Sequence, residues 1–420
     1  MLTQLSVRAF KGLREFSIAP KRMNLLIGAN GTGKTNFTDL IAFIAGLGPR
    51  GLAASIDALG GLAQARTRQA GSGKPPVLRI ALRLGEDSLR GIKEAHFEFA
   101  LAPTKGVKVQ RESLDAVVYK RTAGRPALQG IPRFDTAQPI RLCYVREGLQ
   151  ITGWSTESLG QRGPDFDDEQ ELILASYGRL GELRTLTDYL ASWRVYNIDA
   201  AIAKQSTGGS DLELDRYGAN IAPYVARVLA EKRTRERLLS DLQEAVPYIE
   251  DVQPDRVLTF QTLRFTERDS GADFQLPEMS DGTIRLLGLL AVLRQPVPPA
   301  LVVIEEPENA LHAYAIRHLV GVARRAALST EFPSQIFFTS HSPALVDEVL
   351  SPEALLETGN QTACFVTQRR PKAPSVTPAP ESVMRAIAQN LGRPSDFQRE
   401  GSFGDEPAQM PLALDNVEGV

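Results

Sequence analysis

At 420 residues the chain has room for two or three domains. Its composition, 43% hydrophobic and 23% charged, is that of a folded globular protein, and 48 basic against 50 acidic side chains leave a formal charge of -2, with no overall pull toward nucleic acid or anionic membrane. Two cysteines and 4 histidines exclude a disulfide framework, a cysteine zinc site and a histidine-rich metal centre. No apolar run is long enough for a membrane span and no signal-like segment opens the chain, so a cytoplasmic protein without a membrane partner is expected.

Residues 2–27 read as three short strands: Leu5, Val7 and Phe10 in the first, Leu13, Phe16 and Ile18 in the second, and the apolar run from Leu25 to Ile27 as the third. A glycine-rich turn leads to a helix expected over 34–45 and stopped near Gly46 and Gly48, then to a loop-rich stretch over 51–76. Alternation at 77–84, 95–101, 114–119 and 138–145 predicts consecutive antiparallel strands. Residues 170–204 and 222–248 have helical spacing, and 257–265 alternates again. From Ser280 the order is helix, buried strand 301–304, helix 310–328, buried strand 335–339, an α/β pattern with a parallel sheet. A proline-rich segment, one short helix near 382–390 and a polar tail close the chain.

Gly28, Ala29, Asn30, Gly31, Thr32, Gly33, Lys34 and Thr35, followed by Asn36, form the strongest motif. Two glycines separated by four residues and followed by Lys-Thr make a phosphate-binding loop between strand and helix. Its backbone N–H groups and the helix dipole cradle phosphate oxygens. Lys34 is expected to reach the β- and γ-phosphates of ATP, and Thr35 to hold Mg2+. Residues 301–304 then end in Glu305 and Glu306. Successive residues face opposite ways, which assigns Glu305 to the metal and Glu306 to the attacking water. His341, at the tip of the next apolar strand, is either structural or placed to touch the γ-phosphate or water. Ser280 and Gly282 open a helix; by themselves they are a cap or a close backbone approach.

The order of these motifs resembles the RecF/SMC-like branch of ABC ATPases. The opening Val7-Arg8-Ala9-Phe10-Lys11-Gly12-Leu13, the segment 214–229 with Gly218-Ala219-Asn220, and Glu305-Glu306-Pro307-Glu308-Asn309-Ala310-Leu311-His312 carry the resemblance, over roughly 1–50 and 210–345. It implies an ABC-ATPase-head-like α/β fold with a mixed central sheet, an antiparallel β lobe and an inserted helical subdomain. It divides the chain into 1–150 (P-loop part and β lobe), 151–255 (helical insertion), 256–367 (signature, second acid strand and switch histidine) and 368–420 (tail). It makes Lys34, Glu306 and His341 catalytic, and it sets Ser280 and Gly282 against the γ-phosphate held by a second copy of the chain. Three features depart from the family pattern: Glu305 stands where Asp is commoner, the signature reads Ser-Asp-Gly-Thr, and neither Gln64 nor Gln69 is marked as the Q-loop.

The implied activity is ATP hydrolysis that closes and opens a head-to-tail dimer in DNA repair, chromosome maintenance or anti-phage defence. A nucleotide-gated scaffold restraining an effector such as a nuclease is the alternative. Residues 61–130 hold 13 Lys/Arg against 6 acids, which makes this block the candidate DNA contact, although such runs are also ordinary solvated faces.

Overall fold

The computed structural model describes residues 1–68, 76–122, 132–155, 166–205, 213–257, 260–368 and 375–404. The first two expected strands, β1 (Leu2–Phe10) and β2 (Leu13–Ile18), pair antiparallel, and β3 (Met23–Ile27) leaves them for a second sheet. The following helix, α1 (Lys34–Asp57), does not stop at Gly46 and Gly48; it continues to a break at Gly51, where φ is 84°. Gly48 serves packing instead. A Cβ there would stand 3.2 Å from the Thr187 side chain, whereas one on Gly46 would meet the tip of the exposed Arg50 side chain, which can move aside. By length and composition α1 could cross a membrane, yet Phe37, Leu40, Ile41 and Ile44 are buried inside the protein, so it is a core helix.

After the short α2 (Leu62–Ala65), the expected alternation yields β4 (Leu78–Leu84), β5 (Ile92–Leu101), β6 (Val109–Arg121) and β7 (Phe134–Glu147), and β8 (Gln150–Ser155) adds a strand beyond the expected ones. With the first hairpin they make a seven-stranded antiparallel sheet, β2-β1-β4-β5-β6-β7-β8. Every second residue of β4 is buried, as a sheet with one covered face requires.

The helical reading of 170–204 needs correction. This stretch forms α3 (Ile173–Tyr177), α4 (Leu183–Ala191), a strand β9 (Arg194–Tyr196) and α5 (Ala200–Lys204). A three-residue strand is too short to show alternation, and only its partner in the sheet defines it. Next come α6 (Ile221–Leu229) and α7 (Lys232–Ala245), the latter capped by the Glu231 carboxylate, which accepts from the backbone of Arg233 and Thr234. Strands β10 (Ile249–Val257), β11 (Phe260–Glu267) and β12 (Asp273–Gln275) form a separate antiparallel sheet. The C-terminal part runs α8 (Asp281–Arg294), β13 (Leu301–Glu305), α9 (Ala313–Ala327), β14 (Gln335–Ser340), α10 (Pro343–Leu350), α11 (Pro352–Glu357), β15 (Thr362–Thr367), β16 (Val376–Pro378), α12 (Glu381–Ala388) and α13 (Pro394–Arg399).

The central sheet has the order β16-β15-β3-β14-β13-β9 and is parallel except for β16. Both faces are covered, which explains the unbroken apolar runs. Leu26, Val303 and Phe337 belong to the core shared with α1 and the antiparallel sheet. Their neighbours Leu25, Val302 and Ile336 belong to the core on the other face, with α6 to α9. We propose the four-part division given above, in which β9 makes the 151–255 segment a donor of one edge strand to the central sheet.

A buried carboxylate pins the antiparallel lobe to the helices. Glu112 on β6 is fully buried and accepts from the Tyr144 hydroxyl at 2.7 Å and the N–H groups of Ile173 (2.8 Å) and Leu174 (3.0 Å), with Arg146 Nη1 at 3.8 Å. Burial pushes its pKa up while these partners oppose the rise. Glu112→Ala is expected to cost about 3 kcal/mol, the scale for breaking a buried charge pair. Denaturant titration checks this, and an unchanged midpoint would show that the lobe is held by apolar packing alone.

Candidate functional site

Strand register brings four segments to one end of the strands of the central sheet. Ile27 is paired with Ser340 and with Val366, and Thr339 with Glu305. The glycine turn, His341, Glu306 and Thr367 therefore emerge together at the carboxyl ends of the strands, where open α/β sheets bind ligands.

Within the turn, Gly31 and Gly33 have φ of 78° and 124°, which glycine alone adopts readily. Gly28 is needed for a different reason: a Cβ there would lie 2.1 Å from Thr367 Oγ1 on β15. Thr367 Oγ1 is also 2.6 Å from Thr32 Oγ1, whose hydroxyl donates to the Ala29 carbonyl at 2.7 Å. Ala29, Asn30 and Thr35 are exposed, whereas Lys34 is buried. Its Nζ donates to the carbonyls of Gly28 (2.7 Å) and Ala29 (3.3 Å) and lies 3.7 Å from Glu306 Oε1. Beside the turn opens a cavity of about 700 Å³, with Lys11, Arg14, Gly31, Thr32, Asn36 and Gln64 in its wall.

The two adjacent acids face different partners. Glu306 has φ of 42°, a strained conformation for a non-glycine residue, fixed by its N–H donating to the Thr339 carbonyl at 2.9 Å. Its carboxylate lies 3.3 Å from His341 Nδ1 and accepts from Asn309 Nδ2 at 3.3 Å. Glu308 accepts from the Ser340 hydroxyl at 2.5 Å and from the His341 N–H at 3.4 Å, which anchors the histidine's backbone. Lys34, Glu306 and His341, expected from the sequence to act together, are thus in one cluster.

Glu305 turns inward and pairs with Arg216, a residue to which the sequence reading gave no role. The Arg216 fork also donates to Thr38 Oγ1 at 3.2 Å and Asp39 Oδ1 at 3.0 Å, and Asp39 Oδ2 accepts from Lys11 at 2.7 Å. Burial pushes the Glu305 carboxyl up, with Arg216 and Thr38 pulling it back. Burial also opposes the charge on Arg216, but Glu305 and Asp39 outweigh it and raise its pKa.

The donors expected to hold a divalent cation are the Thr35 hydroxyl and the Glu305 carboxylate, both hard oxygens of the kind Mg2+ takes. Among the described residues no group of three or more His, Cys, Asp and Glu converges. A cation here would complete its shell with phosphate and water, as is usual for Mg2+, so the residues fit.

Ser280 and Gly282 occupy a different neighbourhood. Ser280 Oγ caps α8 by accepting from Thr283 N–H at 3.2 Å. Gly282 is glycine because a Cβ would stand 2.3 Å from the Ala310 carbonyl. The signature-like segment is therefore packed onto the loop after Glu306, and Arg285 Nη1 donates to the Glu306 carbonyl at 3.4 Å.

Two arginines of the basic block are interior, while Arg68, Arg79, Arg83, Lys93, Lys105, Arg111 and Lys120 are exposed. Arg66 is 5% exposed, and its guanidinium donates to the carbonyls of Thr104 and Ala102 at 2.8 Å each. Arg90 is equally interior, bonded to Asp87 and to the carbonyls of Pro298 and Pro333. Gln64 borders the cavity beside the turn; Gln69 lies outside the described residues.

Residues 176–347 match a family model described as "AAA domain, putative AbiEii toxin, Type IV TA system". By sequence, no curated protein matches the chain. Among solved structures, the Smc head domain of Pyrococcus furiosus, with an extended coiled coil and bound to the C-terminal domain of ScpA, is similar at a TM-score of 0.53 and 11% identity, over 93% of this chain and 99% of that one. An Smc head bound to the C-winged helix domain of ScpA gives a TM-score of 0.53 and 12% identity, over 90% and 97%. The chain has the SMC head fold. This is the expected ABC-ATPase-head-like class: a mixed central sheet carrying the P-loop, an antiparallel lobe and helices inserted between them. Within the SMC head fold, the glycine turn, the acid strand β13 and the α8 N-terminus come from distant parts of one chain.

Proposed function

We propose that this head binds Mg-ATP, pairs head to tail with a second copy across two nucleotides, and hydrolyses ATP slowly to reset a switch or clamp. The observation that supports this reading is the convergence of Lys34, Glu306 and His341 at the mouth of the phosphate loop. Backbone N–H groups of the turn would hold the phosphates, and the cavity of about 700 Å³ beside it would take the ribose and base. Lys34 would exchange its two loop carbonyls for phosphate oxygens. Glu306 would accept the proton of the attacking water, and His341, 3.3 Å from it, would orient that water toward the γ-phosphate. Mg2+ held by Thr35 and Glu305 would neutralise phosphate charge.

Ser280 and Gly282 would meet the γ-phosphate in the partner copy, which makes nucleotide part of the interface and couples its binding to association. Light scattering tests this. The mass should double with Mg-ATP in the wild type and stay monomeric in Ser280→Arg, whose side chain would fill the γ-phosphate position. A mass indifferent to ATP would sink the dimer.

The output we propose is DNA repair, chromosome maintenance or defence. A protein partner is supported by the ScpA-bound Smc heads that share the fold. Contact with DNA would fall to the exposed Arg79, Arg83 and Lys93 rather than to the interior Arg66.

A further inference from the structure

We propose that Arg216 competes with the divalent cation for Glu305, so that Mg-nucleotide binding must release the guanidinium; this rests on the ATPase reading above. Glu305 is 7% exposed, and a carboxylate so placed needs a counter-charge. Among the described residues the one cation in an ion pair with it is Arg216. The fork reaches the P-loop helix at the same time. Thr38 Oγ1, 3.2 Å from Arg216 Nη2, itself donates to the Thr35 carbonyl at 2.9 Å. The guanidinium is thus within one helical turn of the hydroxyl assigned to the cation.

Two positive charges cannot share one buried carboxylate without strong repulsion. The present position also leaves a bond unmade among the described residues, where Arg216 Nε is buried with no acceptor, an arrangement native interiors avoid. Release has somewhere to go. Asp39 Oδ1 is already bonded to Nη1 at 3.0 Å, and the guanidinium lies 5.5 Å over the Tyr217 ring, so the charge stays compensated when Glu305 lets go. The Arg216 backbone is anchored, its carbonyl accepting from the Asn197 N–H at 2.8 Å.

The test uses the full chain and a fluorescent, non-hydrolysable ATP analogue titrated with Mg2+ in wild type, Arg216→Gln and Arg216→Lys. Arg216→Gln should bind the analogue at a Mg2+ concentration lower by at least about tenfold, the scale of one lost hydrogen bond to a charged group. Arg216→Lys keeps the charge without the fork; its midpoint should fall between the two, and it stands in should the glutamine variant fail to fold. Reciprocally, Arg216→Gln should lower Tm in the free protein, and the deficit should narrow once Mg-nucleotide is saturating. An identical Mg2+ midpoint in all three proteins, or a Tm deficit that persists on saturation, would overturn the proposal and leave Arg216 a structural brace. Wild-type protein that binds no nucleotide at all would overturn the ATPase reading and this inference with it.

Discussion

Lys34→Ala is expected to weaken ATP binding by at least about a hundredfold, because two phosphates each lose a hydrogen bond to a charged donor. In the free protein the ammonium is buried against the Gly28 and Ala29 carbonyls and lies 3.7 Å from Glu306, so the charge is already held where phosphate would arrive. The fold should survive. The side chain contributes to none of the apolar clusters of the core, and the strand and helix around it are held by Leu25, Leu26, Phe37 and Ile41. Calorimetric titration with ATP, alongside thermal unfolding, separates the two effects. Unchanged affinity in a well-folded variant would remove the central claim, since no other basic residue lies within the loop from Gly28 to Thr35.

Glu306→Gln should lower turnover by about 10²–10⁴, the usual loss for a general base, while ATP binding persists. The residue's place is set by its backbone: φ of 42° and the N–H bond to the Thr339 carbonyl do not depend on the carboxylate. An amide of the same size can keep the contact with Asn309 but cannot take a proton from water. The variant should therefore accumulate as an ATP-bound dimer, and adding Ser280→Arg should disperse it. Phosphate release and light scattering on the same samples decide between the two functional readings. An ATPase shows fast wild-type turnover relative to the variant, and a dimer that disperses as the wild type consumes its ATP but persists in the variant. A nucleotide-gated scaffold shows little turnover in either and the same assembly in both.

The elements that carry the phosphate site were legible because their signals are local. A buried strand, two glycines at fixed spacing and Lys-Thr occupy consecutive residues, and the strand that ends in Glu305 and Glu306 is equally short-range. Period-two alternation marked the antiparallel lobe, and the unbroken runs of β3, β13 and β14 marked a sheet covered on both faces. Those patterns depend on which way each side chain must point, and the backbone dictates that residue by residue.

Other features depend on which chain segments meet. Gly46 and Gly48 read as a helix stop, yet Gly48 makes room for Thr187, far along the chain on α4. Gly28 is small because Thr367 passes beside it. Composition counted Arg66 as surface charge, whereas the fold turns it inward onto two carbonyls. Arg216 has no motif around it and reaches Glu305 across 89 residues. Local steric and hydrophobic rules, readable from neighbouring residues, determined the strands, the phosphate turn and the paired acids. Only the tertiary structure decided which charges and glycines would face one another, because those contacts are set by sheet order and helix packing between segments far apart in the chain.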